Sequence, residues 1–264
     1  MAFDGRNDWQ MLPLKGGSGE AFMGIKNKEK VFFKRNSSPF IPSLSAEGLA
    51  PKLMWTQRTY SGDLLTAQEW KEAQVLTRDM MDSPQVIQLI RQIHQSDHLL
   101  VLLKRVQPSA FKPLDFIDLY FDNLPSALAG HHFFNQVIHS LESLVDEDFY
   151  QVKYVVCHGD LNHNNIMIDQ DHTLFLVDWE GVKIADPLSD LTWLLLQYYQ
   201  PSQWTEWFRQ YGLDPLSDAT FYKRVLWYAL INCLLLIKQF TLENRPNQVN
   251  HYVLLLKNIY ASLA

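Results

Sequence analysis

The sequence predicts an α+β chain in two lobes, a small β-rich lobe over residues 1–70 and a larger, mainly helical lobe over residues 71–264. As far as Trp70, short apolar, β-prone runs alternate with polar turns, the pattern of strands and hairpins. Beyond Trp70 the apolar residues recur at three and four positions, the spacing of helices that bury one face. One stretch interrupts the helical part: "VVCHGDLNHNNIMIDQDHTLFLVDWEGV", Val155 to Val182, sets a dense group of polar residues between apolar runs.

Taken in order, "GEAFMGI" and "KVFFKR" flank the polar turn "KNKEK" and read as a hairpin. "LSAEGLAP" reads as a short helix stopped by Pro51. "PKLMWTQRTYSGDLLTAQEW" gives a second pair of strands around Ser61-Gly62-Asp63, and the lobes should join near Gln68 to Lys71. "SPQVIQLIRQIHQ" starts a helix, with Ser83 as N-cap, Pro84 at the first position and Val86, Ile87, Ile90 and Ile93 on one face. "HHFFNQVIHSLESLV" repeats that spacing. "YVV", "IMI" and "LFLVD" read as strands, and from Asp190 to the end the pattern is helical.

Composition narrows the function classes. With 47% hydrophobic residues the 264-residue chain can bury a substantial core. A net charge of −6 argues against a general phosphate-binding surface, so no nucleic-acid partner is expected. Cys157 and Cys233 both lie in apolar runs and read as buried free thiols of a reducing compartment. The opening "MAFDGRNDWQ" has no apolar signal-peptide core. The most apolar segment, "VLWYALINCLLLI", runs from Val225 to Ile237 between Arg224 and Lys238 and is shorter than the ~20 residues a membrane crossing needs. It reads as a core helix, and a cytoplasmic location without membrane insertion is expected.

The polar stretch carries the chemistry. His158-x-Asp160 is followed by Asn165, and Asp178 ends the run "LFLVD". Two strands joined by a turn at Asp169 to His172 would fold Asn165 and Asp178 back beside each other, where two oxygen-bearing groups could share a hard cation such as Mg²⁺. Asp160 can orient a substrate hydroxyl and take its proton, the positioning and charge compensation that phosphoryl transfer requires. Without a cation, Asp160, Asp178 and Glu180 would be crowded like charges. Turn chemistry accounts for any one of these residues, but four residue types at fixed offsets form a stronger pattern. A zinc site from His158, His163 and an Asp lacks a Cys pair or H-E-x-x-H, and Asn is a poor zinc ligand.

"HGDLNHNN" with "LVDWEG" resembles the aminoglycoside phosphotransferase and choline kinase family, relatives of the protein kinases with the same bilobal fold. The resemblance implies that Asp160 is the catalytic base, that His158 braces its loop, and that Asn165 and Asp178 hold Mg²⁺. In the first lobe it implies an ATP site. "KGGSGEAFMG" is the glycine-rich turn, with Gly17, Ser18 and Gly19 toward the phosphates and a G-x-G-x4-G pattern completed by Gly24. Lys34, at the end of "VFFK", would reach the phosphates and pair with Glu47. Gln68, Glu69 and Trp70 would form the hinge that meets adenine.

Departures from protein kinases bear on the substrate. The loop reads His-Gly-Asp without the usual arginine, and from Asp178 the chain runs into a helix with no room for an activation segment. A small hydroxyl-bearing molecule is therefore the expected acceptor. Trp193, Tyr198, Tyr199, Trp204, Trp207, Trp227 and Tyr228 could cage choline, stack on a sugar or base, or fill the core. "NSSPFIPSLSAEGLAPKLMW" with "LVDWEGVKIADPLSDL" is similar to a Gram-positive subfamily that includes a streptococcal cell-cycle regulator associated with the Z ring. That likeness implies ribose, 2-deoxyribose or a nucleoside as acceptor, and a division-protein partner. A choline kinase and a nucleotide-binding regulator with little turnover are the alternatives.

Overall fold

The computed structural model describes residues 9–14, 20–214 and 220–262. In the first lobe β1 (Gln10–Pro13), β2 (Ala21–Lys26), β3 (Glu29–Arg35), β4 (Leu53–Arg58) and β5 (Leu64–Glu69) form an antiparallel sheet in the order β1-β2-β3-β5-β4. Asn27 and Lys28, at φ 50° and 70°, make the left-handed turn that suits the twist of the β2–β3 hairpin. Val31, Phe33, Leu65 and Ala67 bury one face, and Trp9 and Trp55 meet the Phe33 ring at 5.6 and 5.5 Å. Gly24 lies within β2, opposite Val31, where a Cβ would stand 2.2 Å from the Phe33 ring. This corrects its place in the glycine pattern: its missing side chain makes room for Phe33 and does not end a turn. The short helix α1 (Ile41–Ala46) lies between β3 and β4.

Past Glu69 the chain enters the second lobe. Its elements are β6 (Ala73–Val75), α2 (Pro84–Gln95), α3 (Asp97–Val106), α4 (Pro113–Phe121), α5 (Ser126–Ala129), α6 (His132–Leu144), β7 (Val155–Cys157), β8 (Ile166–Asp169), β9 (Leu174–Leu176) and β10 (Lys183–Ala185). The helices α7 (Pro187–Tyr198), α8 (Trp204–Tyr211), α9 (Phe221–Leu242) and α10 (Pro246–Ala261) follow. The strands form two small sheets, β10–β7 and β6–β8–β9. Ser83 caps α2 by accepting the Val86 N–H, as its sequence predicts. Asp169 closes the β8–β9 turn by accepting the Asp171 and Thr173 N–H groups at 3.0 and 2.9 Å.

Helix α9 runs for 22 residues, longer than its apolar segment suggests, and is long and apolar enough to cross a membrane by length and composition. Length therefore does not decide its place; burial does. It packs against α4, α6, α7 and α10, and Trp227, Tyr228, Leu230 and Ile231 are fully buried. Trp227 donates to the Leu141 carbonyl at 2.9 Å, and Asn232 donates to Ser189 and Thr192 on α7 at 2.8 and 2.9 Å. These bonds satisfy polar groups that the helix carries into the core.

Candidate active site

The loop between β7 and β8 is fixed from below by Asp190 of α7. Its two carboxylate oxygens accept the backbone N–H groups of His158 and Gly159 at 2.6 and 2.8 Å, and one lies 3.3 Å from His94 Nε2. His94 Nδ1 in turn meets the Tyr211 hydroxyl at 2.8 Å. Asp186, and not Asp190, caps the helix, accepting the Leu188 N–H at 2.9 Å and pairing with Arg224. His94, Cys157 and Asp190 lie close enough to share a metal, but the contacts just described already commit both Asp190 oxygens.

His158 is buried against Trp179, 4.7 Å between ring centroids, and its Nε2 lies 2.9 Å from the Val177 carbonyl. Its Nδ1 accepts the Asp160 N–H at 3.3 Å. Burial pushes the imidazole pKa down, so the ring is neutral, with its proton on Nε2 toward the carbonyl. Gly159 adopts φ 86°, and a Cβ there would lie 2.2 Å from the Gly181 carbonyl. That contact is the physical reason the loop reads His-Gly-Asp, since no larger residue fits.

Asp160 is held at both oxygens. Asn162 Nδ2 donates to Oδ1 at 3.0 Å and Asn165 Nδ2 to Oδ2 at 2.9 Å. Asn165 also donates to the Asp160 carbonyl at 2.9 Å, and its own backbone carbonyl accepts the Val177 N–H at 2.9 Å. The β8–β9 hairpin thus brings Asn165 beside Asp178, which sits at φ 67°, a left-handed conformation that Asp tolerates.

Lys34, from β3 in the other lobe, reaches this corner. Its ammonium donates to Asp178 at 2.6 Å and pairs with Glu180. Burial alone would lower the Lys34 pKa, but the hydrogen bonds and charges of the two carboxylates outweigh it and raise it. Asp178 is pushed down, first by the hydrogen bond with Glu180 and then, against burial, by Lys34. Glu180 is pushed up, first by burial and then by Asp178 beside it. The chemistry of the donors fits a hard divalent cation. The Asn165 amide nitrogen is spent on Asp160, so its side-chain oxygen would serve with the Asp178 and Glu180 carboxylates as an all-oxygen donor set.

The expected Lys34–Glu47 pair is not formed. Helix α1 stops at Ala46, Glu47 is its C-terminal cap, and Gly48 at φ 72° turns the chain. The Glu47 carboxylate then lies 3.5 Å from His98 of α3. Of the expected hinge residues, Gln68 spends its side chain on the Pro51 carbonyl at 2.8 Å and Glu69 its N–H on the Lys52 carbonyl at 2.8 Å. Trp70 follows the strand and donates to Glu72 at 3.0 Å. Gly17, Ser18 and Gly19 lie outside the described residues.

Two cavities open beside the loop. One, of about 440 Å³, is lined by Asp160, Arg78, His163, Tyr198, Arg245 and His251 among others. The other, of about 350 Å³, is more apolar, with Phe116, Leu119, Gly159 and Leu235 in its wall. Trp193 and Gln239 line both. The Tyr198 hydroxyl lies 2.8 Å from the His163 backbone nitrogen and 2.7 Å from its Nδ1, which ties the loop to α7. Trp204, Trp207, Trp227 and Tyr228 are core residues and line neither cavity. Sequence reasoning missed the roles of Asn162, Tyr198 and Arg78. Asn162 had a local signal, since it falls two residues after Asp160; Arg78 lies far away in sequence and had none.

A protein-kinase-like fold with this constellation between its lobes defines a phosphotransferase. Residues 36–224 match the family model described as the phosphotransferase enzyme family, and the chain belongs to that family and is a small-molecule kinase. Among solved structures it is similar to the choline kinase LicA from Streptococcus pneumoniae, at 16% identity and a TM-score of 0.69 over 96% of this chain and 93% of that one. A choline/ethanolamine kinase family protein from Mesorhizobium loti matches at 18% identity and a TM-score of 0.64, over 97% and 89%. A thermostable mutant of the aminoglycoside phosphotransferase APH(4)-Ia matches at 14% and 0.63, over 98% and 95%.

Proposed function

We propose that the chain transfers the γ-phosphoryl group of ATP, with Mg²⁺, to a hydroxyl of a small polar acceptor, a sugar or nucleoside such as ribose or 2-deoxyribose. The observation that carries this reading is the Asp160 carboxylate, held by Asn162 and Asn165 in the wall of a polar cleft. In that position it orients the acceptor hydroxyl and takes its proton as the oxygen attacks phosphorus. His158 and Asp190 fix the loop so that this carboxylate needs little rearrangement. Lys34 brings a positive charge to the phosphates from the nucleotide-binding lobe, residues 1–70, with Gln68 to Trp70 at its hinge. Asn165 and Asp178, with Glu180 beside them, would hold Mg²⁺, which when bound neutralises phosphate charge. A LicA structure containing AMP supports a nucleotide in the corresponding fold.

Choline is less well served by this cleft. A quaternary ammonium calls for aromatic faces and acidic neighbours; Trp193, Tyr198, Phe240 and Tyr252 offer faces in the cleft, but Asp160 is the one carboxylate among its described lining residues. The likeness to a Gram-positive cell-cycle subfamily would add a division-protein partner, a feature the phosphotransfer reading does not require. Acceptor-dependent ADP release across ribose, nucleosides, choline and aminoglycosides tests the proposal. Asp160→Asn should lower kcat by at least ~10²-fold; an unchanged rate would remove Asp160 as the base. Tight ATP binding with no turnover on any acceptor would favour a nucleotide-binding regulator.

A further inference from the structure

We infer that the acceptor is an anionic polyol, a sugar phosphate or sugar acid, and that Arg78 receives its charged group. The inference rests on the kinase reading and adds the class of acceptor. The protein carries a net charge of −6, yet the cleft beside the catalytic loop departs from that balance. Among its described lining residues Asp160 is the one carboxylate, and the two guanidinium groups are Arg78 and Arg245. If Asp160 serves as base, it is committed to the reacting hydroxyl, and the rest of the lining has no anion to meet a cationic substrate.

The two arginines are not equivalent. Arg245 is paired with Glu243 at 3.0 Å and lies over the Phe240 ring, so it already has an anionic partner. Arg78 forms no ion pair among the described residues. Neutral partners orient it: it donates to the Gln197 carbonyl and lies 4.9 Å over the Tyr198 ring. A guanidinium has five N–H donors, and these contacts leave a fork suited to a carboxylate or phosphate. Many exposed arginines are only solvated, but this one is anchored on the residue that also holds the catalytic loop. Tyr198 carries Arg78 on its ring and His163 on its hydroxyl, which fixes the spacing between the cation and the loop bearing Asp160.

In the reaction, an acceptor hydroxyl oxygen bonds to the γ-phosphorus as the bond from that phosphorus to the β,γ-bridging oxygen breaks. The hydroxyl proton goes to Asp160 and the nucleoside diphosphate leaves. The product carries the new phosphate in addition to the acceptor's original anionic group.

The test compares ribose, ribose 5-phosphate, gluconate and choline by acceptor-dependent ADP release, with the full chain and with Arg78→Gln and Arg78→Lys. Calorimetry with a non-hydrolysable ATP analogue measures binding of ribose 5-phosphate separately. One of the anionic acceptors should exceed ribose in kcat/KM by at least ~10-fold, the scale of charge-assisted hydrogen bonds. Arg78→Gln should reduce that advantage to within about threefold and Arg78→Lys should keep part of it. Ribose 5-phosphate ahead indicates a phosphate group; gluconate ahead indicates a carboxylate. Turnover of ribose or choline equal to or above both anions overturns the inference and leaves the kinase reading intact, as does an equal loss on all acceptors in Arg78→Gln. Arg78-dependent binding of ribose 5-phosphate supports the anion site even without turnover. Neither turnover nor binding sinks both readings.

Discussion

Gly159 shows how much a single position can decide. Its φ of 86° and the 2.2 Å approach of any Cβ to the Gly181 carbonyl are two separate penalties, one in the backbone and one in packing. Gly159→Ala should therefore lower the stability of the folded chain by at least ~1 kcal/mol from the left-handed conformation alone. Chemical denaturation would measure it, and an unchanged midpoint would show that the loop is free to relax. Asp160 and Asn165 were legible in the sequence because their spacing is short and local. The partners of Lys34 were not. Which carboxylate a lysine meets depends on where separate elements travel, and Gly48 sends Glu47 toward His98 instead.

At the level of elements, the loop, α2 and α7 are joined through Asp190. Burial would push this carboxylate up, but the His94 hydrogen bond, with the Gly159 N–H, outweighs burial and holds it below its ordinary 3.8. A depressed carboxylate contributes stability above its unfolded value and loses that contribution as pH falls through its lower folded value. The stability gap between the wild type and Asp190→Asn should thus be full near neutrality and narrow on acidification below about pH 4. Asp190→Ala should cost at least ~2 kcal/mol at neutral pH, because it strands two buried N–H groups. Urea titrations across pH would check both. The apolar run marks α7 in the sequence, but its cap is not legible there. Asp186 and Asp190 both lie near the helix start, and only the fold distinguishes the residue that caps from the one that reaches across.

Across the whole molecule, Lys34 ties the lobes together at the corner of Asp178 and Glu180. Both carboxylates are about half exposed, so solvent screens the pairs and their contribution to stability should be below ~1 kcal/mol. Phosphoryl transfer should depend on Lys34 far more steeply. Lys34→Met should lower kcat by at least ~10²-fold while leaving the unfolding midpoint nearly unchanged. A matching loss in both would make Lys34 a structural tie. The two-lobe plan was readable because periodicity changes near Trp70, whereas β1 gave little signal because its residues are largely exposed.

The central position of α9 has a consequence for biosynthesis. The apolar faces of α4, α6 and α7 leave the ribosome before the helix that covers them, and the cover arrives only with residues 221–242. The second lobe therefore cannot close before residues 221–242 are made, and the nascent middle of the chain must be shielded from other apolar surfaces until then.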